Sequence, residues 1–194
     1  MQDLFIHTGE LLLPVAGTDL TRWACVACDQ YTSQPEYWRA ADALVGDAPS
    51  ALRLILPEVE LDKAATRVPD IHRAMRACLD GGVLAPAVKD GFVLTERVTE
   101  SGARVGLVAV VDLQAYDYHA GSRTPVRATE GTILERIPPR LAVRRGAALE
   151  LSHVLMLMDD PDRTVIEPLY EKRDSLVTLY DFPLMLGGGH LRGY

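Results

Sequence analysis

Two strand-like runs, residues 91–98 and 104–113, joined by Thr99-Glu-Ser-Gly-Ala103, constrain this chain more than any other feature. Both runs are rich in Val, Leu and Thr, and a short linker containing Gly supplies the turn chemistry of an antiparallel hairpin. Residues 105–111 are almost continuously apolar, which predicts a central strand buried on both faces. Helical patterns lie upstream. Ser33-Gln-Pro-Glu36 is a helix start, with Pro and an acidic residue in the first turn, and Gly46 is the stop. A second helix opens near Asp62. It carries Ile71, Met75, Cys78 and Leu79 on one face and ends at Gly81-Gly82. Hairpin and helices without a repeating β–α alternation predict an α+β fold, with a mixed or largely antiparallel sheet and packed helices.

The remaining segments fill in around that frame. Residues 4–14, broken at Gly9-Glu10, predict an opening strand, and Thr18-Asp19 predicts a capped turn before Trp23. Residues 47–50 read as a turn and 52–56 as a short buried strand. Residues 129–137 predict a short helix stopped by Pro138-Pro139, followed by an irregular or partly extended stretch over 141–151. Residues 153–158 read as a second buried strand, the turn at 159–162 returns residues 164–169 to pair with it, and 174–180 read as helical. The glycine run at 187–189 is followed by no evident closing element. A length of 194 residues suits a single domain, 1–194, with a core that needs no disulfide.

Charge and composition exclude several function classes. A net charge of −7 with no Lys/Arg-rich run argues against a nucleic-acid partner. Trp23, Tyr37 and Trp38 are too few, and in too apolar a setting, for a base-stacking platform. No apolar stretch approaches the roughly 20 residues that span a bilayer, and no leader pattern opens the chain. Three cysteines, Cys25, Cys28 and Cys78, read as reduced thiols, which places the protein in the cytoplasm without a membrane partner.

The segment Arg127-Ala-Thr-Glu-Gly-Thr132 is the first candidate for chemistry. It follows the loop Gly121-Ser-Arg-Thr-Pro125 and precedes the expected helix, so unpaired backbone N–H groups and a positive dipole end would face an anion. Arg127 and Arg123 suit bidentate contact with phosphate, Thr129 and Thr132 supply hydroxyls, Gly131 permits close backbone approach, and Glu130 can act as a base or hold a metal ion. A solvated helix cap at Thr129 explains the same residues, and no Walker loop is present. The second candidate is Cys28-Asp-Gln-Tyr31, a polar turn after the apolar 23–27, where Asp29 can orient a substrate amine or hydroxyl and Gln30 and Tyr31 can contact it; a structural turn fits equally. Cys25-Val-Ala-Cys28 has redox or half-zinc spacing without a second pair. His190, after three glycines, can contact a ligand or belong to a mobile tail, and Arg140 after two prolines can aim a charge at an anion or simply follow a helix stop.

These strings have a relative. Trp23-Ala-Cys-Val-Ala-Cys-Asp-Gln-Tyr-Thr-Ser33, Pro35-Glu-Tyr-Trp38, Gly46-Asp-Ala-Pro-Ser50, Arg127-Ala-Thr-Glu-Gly-Thr-Ile-Leu-Glu-Arg136, Pro138-Pro-Arg140 and Gly188-Gly-His190 resemble the bacterial and archaeal family of domain of unknown function 1015. The resemblance covers nearly the whole chain. Members are commonly longer, so it implies an N-terminal portion. It also implies ATP-dependent phosphorylation of a free hydroxyl amino acid such as serine, with ATP and Mg²⁺ as cofactors. In that chemistry the Arg127 segment would hold phosphate, and Asp29 or Glu130 would accept the hydroxyl proton. Two readings from other classes stand beside it: a non-catalytic, nucleotide-responsive binding or regulatory module, and a redox or metal protein built on Cys25 and Cys28.

Overall fold

The computed structural model describes residues 5–194. The fold is α+β, with one four-stranded antiparallel sheet, three two-stranded ladders and helices packed against them. The expected opening strand is two strands, β1 (Ile6–His7) and β2 (Gly9–Pro14); Leu4, where that expectation began, lies outside the described residues. β2 pairs with β3 (Leu84–Gly91), a strand that its Pro86 and Lys89-Asp90 disguise in the sequence.

The predicted hairpin is β4 (Val93–Thr99) and β5 (Gly102–Val108), paired from Val93↔Val108 to Thr99↔Gly102 across a Glu100-Ser101 turn. Its place in the sheet differs from expectation. The sheet order is β5, β4, β10 (His190–Gly193), β9 (Tyr180–Pro183), so β4 is internal and β5 is an edge. The apolar run of 105–111 does not stay in one sheet: β6 (Val110–Val111) leaves to pair with β1, and α5 (Ile166–Glu171) lies against β5. The chain end that showed no closing element thus supplies an internal strand of the sheet. Gly189 makes that path possible. Its φ is +98°, and a Cβ there would stand 2.2 Å from the Val98 carbonyl oxygen.

Helix α1 (Leu20–Trp23) is capped by Asp19, which accepts from the Arg22 N–H at 3.2 Å. Helix α2 (Pro35–Val45) starts on its proline and buries Trp38, Ala41 and Val45, spaced as one face. Helix α3 (Ala64–Asp80) buries Ile71 and Met75, with Cys78 packed beside them. Residues 52–56 are not the expected strand but a 3₁₀ turn over Ala51–Arg53 and an irregular continuation. They form a wedge between two core clusters. Leu52 and Ile55 join Val26, the α2 face and Met185; Leu54 and Leu56 join Trp23, Ile71 and Met75. Burial on two sides produces the same continuous apolar run as a central strand, so the pattern alone cannot separate them. Full burial of each such side chain contributes about 1.5–3 kcal/mol.

Further expectations fall in the second half. No helix occupies 129–136; a 3₁₀ turn covers Leu134–Arg136, and α4 (Ile137–Arg144) begins where the stop was expected. Pro138 and Pro139 sit in its first turn, where a missing N–H costs nothing. Residues 153–158 form no strand. Val154 and Leu157 are 76% and 81% exposed, and β10 fills the position beside β4 that another strand would need. Residues 164–169 do not pair back, since α5 takes most of them, and 174–180 hold a short 3₁₀ turn leading into β9 rather than a helix.

Candidate functional site

Two short parallel strands build the floor of the site. β7 (Tyr116–Asp117) pairs with β8 (Val126–Arg127) so that Asp117 and Arg127 are register neighbours. The loop between them is tied to its own backbone. The Thr124 hydroxyl donates to the Val126 carbonyl at 2.9 Å, Ser122 Oγ accepts from the Thr124 N–H at 3.2 Å, and the Ser122 N–H donates to the His119 carbonyl at 3.1 Å. Gly121, at φ +80°, turns the chain. The result is a concavity of about 330 Å³ lined by residues 117–122 and 127–131.

Arg127, Thr129, Glu130 and Gly131 line one hollow, whereas Thr132 and Arg123 do not line it. The reason offered for that grouping is corrected: residues 128–133 are an exposed loop, so neither a helix dipole nor a Thr129 cap operates there. The charge comes instead from Arg127 itself. Neither the Arg127 nor the Glu130 side chain has a protein hydrogen bond or ion pair among the described residues. A Cβ on Gly131 would meet nothing within 4 Å, which leaves its backbone open to a ligand.

Sequence reasoning missed Asp117, Tyr118 and His119, which line the same hollow. The backbone N–H of His119 donates to Asp117 Oδ1 at 3.0 Å, and its Nδ1 lies 2.5 Å from the same oxygen. The carboxylate fixes the imidazole orientation, the arrangement by which a carboxylate positions a base. The His119 backbone N–H, then its ring, hold the Asp117 carboxyl below the usual carboxylate range. The signal in the sequence was Asp-x-His within a turn-rich stretch, too common to single out.

The other candidates lie elsewhere. Asp29 and Gln30 are exposed in a turn closed by the Gln30 N–H on the Ala27 carbonyl. Tyr31, at φ +51°, stacks on Tyr37 with centroids 3.8 Å apart, and its carbonyl accepts from Trp38 Nε1, which is a packing role. Arg140 spans to the same region: it donates to the Leu56 carbonyl at 3.0 Å and to Cys28 Sγ at 2.7 Å, and pairs with Glu58 at 3.4 Å. Arg136 holds the other Glu58 oxygen at 2.6 Å, so the motif arginines clamp a carboxylate that is only 9% exposed. Cys25 keeps some surface but packs against the first core cluster, and burial pushes its thiol pKa up to about 12. Among the described residues no group of three or more His, Cys, Asp or Glu is placed to hold a metal ion.

His190 belongs to a charged row on the sheet face. In register across β4, β10 and β9 stand Glu96, Arg192 and Asp181; Arg192 bonds Glu96 at 3.0 Å and Asp181 at 3.3 Å. His190 pairs with Asp181, and the Tyr170 hydroxyl of α5 donates to Glu96, a carboxylate 5% exposed. This network fastens α5 to the sheet. A larger groove of about 700 Å³ between α3 and α4 is walled mainly by apolar residues, Leu61, Val68, Pro69, Pro138 and Pro139, with the carboxylates Asp62 and Glu135 also on its lining. Among the described residues no helix is long and apolar enough to cross a membrane.

No curated protein and no solved structure matches the chain. A family model described as protein of unknown function (DUF1015) matches residues 12–193, which include the Trp23–Ser33 and Arg127–Arg140 strings as well as both strands of the β7–β8 floor. The chain belongs to the DUF1015 family.

Proposed function

We propose that the chain is a small-molecule kinase, moving the terminal phosphoryl group of ATP to the hydroxyl of a free amino acid such as serine. The observation that carries this reading is the hollow at residues 117–131: a cation without a protein partner, an unpaired carboxylate, an oriented imidazole and an open glycine backbone share about 330 Å³. Phosphoryl transfer asks a protein mainly for position and for neutralised charge. Arg127 supplies charge to the phosphate oxygens. Glu130 or His119 takes the proton from the acceptor hydroxyl as its oxygen bonds to phosphorus and ADP leaves. Asp29, offered by the sequence for that proton, does not line the hollow. Mg²⁺ commonly binds through one or two carboxylates plus substrate phosphates, and Asp117 and Glu130 fit that donor set. The ion would arrive on the nucleotide, since no all-protein cluster for it exists among the described residues.

A second reading is a nucleotide-responsive binding module without turnover. The exposure of residues 127–131 favours it, because transfer to a hydroxyl rather than to water needs water kept out. Isothermal titration of Mg·ATP into wild type and Arg127→Ala tests the shared premise. Binding weakened at least tenfold in the variant supports both readings, and absence of binding to wild type overturns both. Acceptor-dependent ADP formation then separates them.

A further inference from the structure

We infer that the ring of Tyr118 seats a flat aromatic group, the purine base of the nucleotide whose phosphates meet Arg127; the inference rests on the phosphate reading of the hollow. Tyr118 is 71% exposed and lines the same hollow as Arg127 and Glu130. Its ring stacks on the His119 imidazole, with centroids 4.6 Å apart and planes 21° from parallel. The Tyr116 ring is tilted 33° to that of Tyr118, with centroids 6.4 Å apart. Asp117 holds His119 through ring and backbone, so the tyrosine rests on an anchored partner and needs little ordering when a ligand arrives. A hollow that sets an aromatic face beside an unpaired guanidinium recognises a molecule with the same two parts, a planar ring system and an anion. A bare phosphate would use only one half of it, and an apolar ring would leave Arg127 unmatched.

Stacking is indifferent to the edge of the base, so this face selects a nucleotide over inorganic phosphate chains without choosing strongly among purines. The experiment is titration of Mg·ATP and of Mg·tripolyphosphate into wild type, Tyr118→Ala, Tyr118→Phe and Arg127→Ala. Thermal melts confirm that the exposed substitutions leave the fold intact. Wild type is expected to prefer ATP by roughly tenfold, within the range that one base–aromatic stack supplies. Tyr118→Ala is expected to lose that preference with tripolyphosphate affinity unchanged, Tyr118→Phe to keep it, and Arg127→Ala to weaken both ligands alike. Equal affinity of wild type for the two ligands, or an ATP preference that survives in Tyr118→Ala, overturns the inference and leaves the phosphate site standing. Failure of wild type to bind either ligand overturns the phosphate reading and the inference with it.

Discussion

Ser50→Ala isolates one buried polar contact that ties the core together. Ser50 is 1% exposed, and its hydroxyl does two things. It donates to the Trp23 carbonyl at 3.0 Å and accepts from the Leu52 N–H at 3.2 Å. The first bond joins the end of α1 to the buried wedge of 51–56; the second caps the 3₁₀ turn that aims Leu52 and Leu54 into separate clusters. Alanine fills nearly the same space but leaves a buried carbonyl and a buried N–H unpaired. Each costs about 1–3 kcal/mol, and loss of a cap alone costs about 1 kcal/mol, so the expected loss is about 3 kcal/mol in all. At about 2–4 °C per kcal/mol for a chain of this size, Tm falls by roughly 6–12 °C. Urea titration with an unchanged m-value reads the loss as stability rather than altered compactness. Asp47→Ala, in the exposed turn just before, is the control and stays within about 0.5 kcal/mol of wild type. A loss below about 1 kcal/mol in Ser50→Ala would refute the claim that this hydroxyl organises the wedge.

Other expectations follow from the same contacts. The Tyr170 hydrogen bond, then Arg192, lowers the Glu96 pKa, and the bond from His190, then Arg192, lowers that of Asp181. Folded pKa values below the unfolded ones mean stability that is present above the ordinary carboxylate range and lost as pH falls through the folded values. Acid titration followed by circular dichroism therefore shows a loss below about pH 4 that Glu96→Gln makes shallower. Gly189→Ala forces a Cβ to 2.2 Å from the Val98 carbonyl at φ +98° and lowers Tm by more than Ser50→Ala does. Iodoacetamide at pH 8 leaves Cys25, whose thiol pKa is about 12, unlabelled in the folded protein and labels it in urea, as mass spectrometry reads directly. Gly131→Ala leaves the melt unchanged, because nothing lies within 4 Å of the added Cβ, but weakens Mg·ATP binding where phosphate meets that backbone.

The sequence revealed what depends on neighbours. The β4–β5 turn, the proline start of α2 and the Ile71–Met75 face of α3 are local patterns, and each stands where it was expected. What it concealed depends on partners far along the chain. β10 enters the sheet through ladders to residues 95–98 and 180–183, and four residues after three glycines carry no sign of that. Pro138-Pro139 carries the same φ restriction at a helix start as at a stop, so only the chain on either side decides between them. The candidate site was half legible. Arg127, Thr129, Glu130 and Gly131 declared themselves by residue type. Asp117, Tyr118 and His119 reach them only through a two-residue parallel ladder, which leaves no periodicity to read. His190 drew attention through its glycines, yet its partner Asp181 shows a role in fastening the sheet.

The most direct test of the proposed activity is ADP production from Mg·ATP by the purified chain across a panel of free amino acids and small alcohols, with Arg127→Ala measured beside it. The account predicts turnover that requires one hydroxyl acceptor and falls at least a hundredfold in the variant, the scale on which one charge-stabilising group acts. ADP formation that ignores the acceptor, or that Arg127→Ala leaves unchanged, would contradict it.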